Sequence, residues 1–278
     1  MTAPAPTVRA YLRALAEELG ELSAAPEQEV QRWLCQEYGW SRAQLFARLN
    51  QAPPRALSAS AWSRRLAGEP EAYIFGHQGF YGLELEVTPA VLIPRPDTEV
   101  LVDMALAQAA QLPADATVVD LGTGSGAIAL ALAQAQPQWQ IIAVERSPEA
   151  LAVAQRNGQR LGLEVDWRLG DWLHPLGGQS VHMVLSNPPY VAPGDPHLRA
   201  LEHEPISALV AAEDGLADIQ QIITQAASHL MPQGPLLIEH GSEQGAAVRE
   251  QLATAGYQNI RTQADMAGLE RVSVGVHP

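Results

Sequence analysis

Thr117-Val118-Val119-Asp120-Leu121-Gly122-Thr123-Gly124-Ser125-Gly126 decides the fold: an apolar, β-branched run breaks into glycines spaced GxGxG and then opens into Ala127-Ile128-Ala129-Leu130, a helix-forming stretch. A strand, a glycine turn and a helix in that order form the phosphate- or nucleotide-facing corner of an α/β fold. Glycines here let the backbone come close to a ligand, since no Cβ intervenes. A dinucleotide fold would prefer GxGxxG, and an acid just ahead of the first glycine, Asp120, is awkward beside a pyrophosphate. It suits a ligand carrying an ammonium group, such as the amino group of a methionine.

Outward from this corner the alternation continues to the C-terminus. Strands are expected at Gln140 to Val144, over Val165-Trp167-Leu169, and at Val181 to Ser186, Pro235 to Glu239, Tyr257 to Arg261 and Arg271 to Val276. Helices should begin near Gly124, Ser147, Asp218 and Gln244, with Ser147-Pro148 as cap and first turn and Gly162 as a stop. This predicts an α/β fold: a seven-stranded doubly wound, Rossmann-like sheet with helices on both faces and its last two strands antiparallel. The second strand ends on Glu145, nineteen residues past Gly126, where such folds place a carboxylate for ribose hydroxyls. Trp172, after the third strand, is placed to border an adenine ring.

Upstream the pattern is different. Val8, Tyr11, Leu12, Leu15 and Leu19 recur at helical spacing ahead of Gly20. Val30, Trp33 and Leu34 repeat it after Pro26, Ser41 and Gln44 make a capping box, and Trp62 and Leu66 lead to Gly68. The expected organisation is a helical bundle over 1–70, a β-hairpin connector over 71–95 and the α/β domain over 96–278.

The fourth strand of the α/β part runs into Asn187-Pro188-Pro189-Tyr190, and the carboxyl ends of such strands are where open α/β sheets bind ligands. Neither proline has an N–H, so the main chain offers carbonyl acceptors, and Pro189 biases Pro188 toward an extended conformation. A planar amide or amino nitrogen is a poor nucleophile. Two acceptors, the Asn187 side-chain oxygen and the Pro188 carbonyl, would grip its N–H groups and turn its lone pair toward a sulfonium methyl, with Tyr190 flanking the plane.

At these residues the chain resembles the peptide chain release factor glutamine methyltransferases, from about Tyr11 to the C-terminus. The shared motifs are Ala72 to Gly76, Leu92-Ile93-Pro94-Arg95-Pro96-Asp97-Thr98-Glu99, Asp120 to Gly126, Asn187 to Tyr190, Glu204-Pro205, Ala208-Leu209 and Asp214-Gly215. The resemblance implies S-adenosyl-L-methionine as cofactor. It also implies as partner a class 1 release factor, methylated on the N5 amide nitrogen of the glutamine in its Gly-Gly-Gln motif. Carried over by position, Asp120, Gly122, Thr123, Gly124, Ser125, Gly126, Glu145, Trp172 and Asn187 would contact the cofactor, and Asn187, Pro188, Pro189 and Tyr190 the glutamine. The helical N-terminal part would help dock the partner. Glu145 stands where the family more often has Asp, and the segment from Tyr190 to Glu204 is shorter than expected of the family.

Composition narrows the rest. The formal charge is −14, and beyond residue 70 nine arginines face twenty-four acids. That disfavours a nucleic acid gripped through phosphates, and with it a DNA adenine methyltransferase sharing the Asn-Pro-Pro-Tyr motif. A ribosomal-protein glutamine methyltransferase is the nearer alternative, and a nucleotide-binding module without chemistry would leave Asn187 to Tyr190 idle. Cys35 is the only cysteine and the eight histidines lack ligand spacing, so neither disulfide nor metal is expected. No leader is read in the opening residues and no apolar run is long enough for a membrane span, so a cytoplasmic location is expected, with a monomer as the default.

Overall fold

The computed structural model describes residues 6–278, so most of the opening segment read for a leader lies outside the described residues. The chain forms two compact units that divide between Gly76 and His77. No described helix is long and apolar enough to cross a membrane.

The first unit is helical, with helices at Val8–Leu19, Pro26–Tyr38, Arg42–Ala47, Ala59–Leu66 and Glu71–Phe75. Local chemistry sets their ends. Thr7, Ser41 and Ser58 cap three N-termini through their hydroxyls, Ser41 and Gln44 form the reciprocal capping box, and Gly39 ends the second helix in the left-handed region. Leu15, Leu19, Val30, Trp33, Leu34 and Leu45 make its core. Trp33 stands edge-on to both Trp62 and Phe75, at centroid distances of 5.1 and 4.7 Å. Inside the same unit Glu29 accepts from Arg65, both side chains being largely buried.

The hairpin expected from residue 71 begins later. Glu71–Phe75 is a helical turn between Pro70 and a left-handed Gly76, and Tyr73 is buried. The β-forming residues there enter a helical core instead, where burial outweighs the weak strand preference of Tyr, Ile and Phe. The hairpin itself comprises β1 (His77–Phe80) and β2 (Leu83–Glu86), antiparallel across Tyr81-Gly82.

The second unit holds the main sheet: β3 (Thr117–Leu121), β4 (Gln140–Glu145), β5 (Asp166–Leu169), β6 (Met183–Ser186), β7 (Pro235–Glu239), β8 (Gln258–Ala264) and β9 (Glu270–Val276). Their order is β5-β4-β3-β6-β7-β9-β8; β9 runs antiparallel to both neighbours and the other pairs are parallel. Period-two alternation sends Val118, Ile141 and Ala143 to a core shared with helices Glu99–Leu106 and Ala127–Ala135. It sends Val119, Leu121, Ile142 and Val144 to an opposite core with helices Ala217–Ala226 and Gly245–Thr254. Because β3 pairs with β4 on one side and β6 on the other, the strand order reverses there, and the carboxyl ends of β3 and β6 flank the crevice where such sheets bind ligands.

Candidate active site

The loop after β3 is built by its own polar groups. Asp120 is wholly buried, and its Oδ2 accepts from the Thr123 hydroxyl at 2.6 Å and from the Ala129 N–H at 3.2 Å. Gly126, at φ +84°, caps the following helix; an added Cβ there would lie 3.1 Å from both Leu130 and Trp167. Asn157 on helix Pro148–Leu161 donates to the Ser125 and Glu86 carbonyls, tying loop and hairpin to one side chain. Glu145, ending β4, accepts from Gly124 N–H at 2.9 Å and Ser147 N–H at 3.0 Å, one per oxygen, so its orientation is fixed from both sides.

Sequence reasoning put Asp120 against a ligand ammonium, whereas the structure sets its carboxylate beneath the loop, outside the cleft wall. Oδ2 shapes the turn and Oδ1 has no hydrogen-bond partner. Burial pushes its pKa up to about 7, against the pull of the Thr123 and Ala129 hydrogen bonds.

The cleft is an open one, its space counted out to the mouth being about 910 Å³. It gathers Gly122, Thr123, Gly124, Ser125, Glu145, Trp172, Asn187 and Pro189 in one wall. Asp120, Gly126, Pro188 and Tyr190 are not in that lining. Its donors and acceptors fit S-adenosylmethionine: a glycine turn for the amino-acid end, an oriented carboxylate for ribose hydroxyls, and a Trp172 ring. A Cβ at Gly124 would meet nothing within 4 Å, so open space lies where the backbone approaches a ligand.

The acceptor side follows β6. Ser186 pairs in register with Leu121, and its hydroxyl donates to the Leu121 carbonyl at 2.8 Å, coupling this strand end to the glycine loop. Asn187 Nδ2 donates to Thr98 Oγ1 at 3.1 Å, leaving Oδ1 available. The Tyr190 hydroxyl reaches Glu239 at 3.5 Å, and burial, with Glu239 adding, pushes its pKa up. Gln244 Nε2 donates to the Tyr190 and Asp214 carbonyls, at 3.0 Å each, while its Oε1 accepts from Gly241 N–H. Asp214-Gly215 thereby acquires a reason: a Cβ at Gly215, itself at φ +84°, would fall 2.0 Å from the Tyr190 carbonyl oxygen. Glu204 gains one as well, accepting from Ile93 N–H at 3.1 Å and pairing with Arg95.

Sequence reasoning assigned no role to Thr98, Arg95 or Ser186, although Thr98 and Arg95 line the cleft. The first two sat in a motif that carried only a resemblance; Ser186 gave no signal, being one polar residue at the end of an apolar strand.

Sheet order, glycine loop and crevice together define a Rossmann-like methyltransferase dependent on S-adenosylmethionine. Residues 98–264 match the family model described as methyltransferase small domain, and residues 10–76 the PrmC N-terminal domain. The release factor glutamine methyltransferase of Vibrio cholerae is 44% identical over 97% of this chain and 96% of its own length. That of Pseudomonas aeruginosa is 55% identical over 77% of this chain and 78% of its own. Among solved structures, a methyltransferase from Pyrococcus furiosus (TM-score 0.53, 17% identity, 78% of this chain and 98% of that one) shares the fold. So does the T. thermophilus 16S rRNA N2 methyltransferase in complex with AdoMet and guanosine (TM-score 0.54, 18% identity, 73% and 50%). The chain belongs to the release factor glutamine methyltransferase family.

Proposed function

We propose that the chain methylates the side-chain amide nitrogen, N5, of the glutamine in the Gly-Gly-Gln motif of class 1 release factors. The observation that carries this is the fixed amide of Asn187: its nitrogen is engaged by Thr98, so its oxygen is the group left to accept from a planar NH2. Bound S-adenosylmethionine supplies an electrophilic methyl on a sulfonium. Asn187 Oδ1 and the Pro188 carbonyl accept the two amide N–H groups, and Tyr190 flanks the amide plane. The cofactor would supply its methyl to the nitrogen lone pair so held, its sulfur would keep the electrons of the broken bond, and the surplus amide proton would leave to solvent. Orientation of this kind supplies up to about 7–11 kcal/mol, so the reading needs no dedicated base.

Gly122 to Gly126, with Asp120 beneath them, take the amino-acid end of the cofactor, Glu145 the ribose and Trp172 the adenine. The helical N-terminal unit serves docking of the protein partner. Against a nucleic-acid substrate speak the acidic balance beyond residue 70 and the engagement of Arg95, Arg156, Arg168, Arg249 and Arg271 by carboxylates. The reading takes the enzyme as a cytoplasmic monomer.

The test is transfer of radiolabelled methyl from S-adenosylmethionine to purified release factor, beside the same factor carrying Gln→Ala in its Gly-Gly-Gln loop. Label that disappears with that substitution supports the reading; label that persists on the altered factor, or never forms, overturns it.

A further inference from the structure

Four large apolar side chains of the second unit are exposed among the described residues: Leu169, Ile206, Met266 and Leu269. Exposed hydrophobic residues scattered singly over a surface need no explanation, but these gather at one edge of the sheet. Leu169 is the last residue of β5, which runs parallel to β4. Ile206 opens a short turn that Arg146, just past the end of β4, holds through the Ser207 carbonyl at 2.8 Å. Met266 and Leu269 lie at the tip of the β8–β9 hairpin. Because β9 is antiparallel to β7 and Val272 pairs with Glu239, the last residue of β7, residues 265–271 project beyond the carboxyl edge. That is the edge on which Asn187 follows β6.

The tip is built to hold its shape. Asp265 Oδ1 accepts from the Ala267 and Leu269 N–H groups at 2.9 Å each, and its Oδ2 accepts from Arg271 Nε at 2.8 Å. The Asp265 N–H donates to the Leu269 carbonyl at 2.8 Å. Arg271 also reaches Asp97 at 3.2 Å, and Asp97 precedes Thr98, whose Oγ1 accepts from Asn187. The polar groups of the turn are thus satisfied inward, while Met266 stands wholly in solvent with Leu269 45% exposed beside it. Apolar side chains presented on a fixed turn lose little freedom when a partner covers them.

We infer that this tip is a docking contact for the protein substrate: Met266 and Leu269 take an apolar surface of the release factor beside its Gly-Gly-Gln loop. The inference deepens the proposed reading and rests on it for the identity of the partner. Position argues for that occupant. In the sheet β9 stands two strands from β6, roughly 10 Å, and Leu269 lies three residues past Val272, roughly 10 Å further along the strand. The tip is therefore about 14 Å from Asn187, the span of about four extended residues. A protein whose glutamine enters the cleft lays its flanking residues across this distance, which free cofactor or a small amide does not reach. Arg271, the one basic residue between 265 and 271, is held by Asp265 and Asp97, so a phosphate backbone finds no free cation there.

The experiment measures initial rates of methyl transfer against release factor concentration for the wild type, Met266→Leu, Met266→Ser and the double variant Met266→Ser with Leu269→Ser. Cofactor titration and sedimentation accompany it. The double variant should raise the KM for release factor about tenfold or more, with kcat and the cofactor dissociation constant within about twofold, as loss of binding remote from the reacting atoms requires. Met266→Leu keeps the apolar area and should stay within about twofold of the wild type. An unmoved KM in the double variant, a loss expressed in kcat or cofactor affinity instead, or a leucine as poor as the serine would overturn the inference while the substrate reading stands. A wild-type dimer that the double variant dissolves would assign the tip to a second copy of the chain and overturn it as well. A wild type that leaves release factor unlabelled sinks the substrate reading, and the inference falls with it.

Discussion

The Ser186 hydroxyl donates to the carbonyl of Leu121, its register partner on the adjacent parallel strand, at the point where each strand gives way to its functional loop. Beside the backbone pairing of β3 and β6, this bond adds a side-chain tie between the glycine loop and the segment that begins at Asn187. Ser186→Ala leaves a buried carbonyl short of a donor, which costs about 1–3 kcal/mol. The midpoint of urea unfolding should fall accordingly, and kcat should fall several-fold because the loops lose their common anchor; an unchanged kcat would assign Ser186 to stability alone.

Asn187 and Glu145 should separate cleanly in kinetics. Asn187→Ala removes an acceptor that orients the nucleophile, and turnover should drop on the order of 10²–10³-fold with cofactor affinity little changed. Glu145→Ala removes a carboxylate poised by Gly124 and Ser147 N–H groups, and the dissociation constant for cofactor should rise roughly tenfold or more. Calorimetric titration with S-adenosylmethionine beside steady-state kinetics reads both.

Gly215→Ala places a methyl where the Tyr190 carbonyl already sits and imposes a left-handed conformation on a residue with a Cβ. The expected outcome is about 1–3 kcal/mol of lost stability and a raised KM for the protein substrate, since Tyr190 must move. Cofactor affinity, read by the same titration, should hold.

Much of this architecture was legible in the sequence because burial on both faces forces continuous apolar runs. β3 and β7 have the bounds that their patterns indicate, and Gly122 to Gly126 and Asn187 announce themselves by local chemistry. Glu71–Phe75 misled because its aromatic and β-branched residues favour strands in isolation, while its helix is stabilised by packing in a core that the sequence does not display. Thr98, Ser186, Glu239 and Gln244 were illegible for another reason. Each is a single polar residue with a partner 49 to 89 positions away along the sequence, so no spacing rule reaches it.

In the helical unit, Arg65 donates to Glu29 and to the Leu22 carbonyl. Truncating one member of a buried pair strands the other, so Arg65→Ala should destabilise that unit by about 3–5 kcal/mol. Hydrogen exchange across residues 8–66 should accelerate while exchange in β3 and β6 stays as in the wild type.

His240 gives the second unit a stability that depends on pH. Burial lowers its pKa from the ordinary 6.5; Nδ1 donates to the Gly241 carbonyl and Nε2 accepts from the Ser273 hydroxyl, as the neutral ring requires. The unfolded chain therefore binds a proton at higher pH than the folded one. Stability is intact above the ordinary value and falls as pH drops from there toward the lowered one. Urea midpoints at about pH 7.5 and 5.5 should differ more in the wild type than in His240→Gln.

The proline pair has a further consequence for what leaves the site. Asn187 Oδ1 and the Pro188 carbonyl make two acceptors, and Pro188 and Pro189 contribute no N–H to exchange for either. A primary amide satisfies both acceptors, but its N-methylated product retains a single proton and leaves one acceptor bare, a penalty of about 1–3 kcal/mol. On the proposed reading the pocket counts hydrogens: it grips the unmodified side chain, releases the modified one, and rejects it as a candidate for a second round.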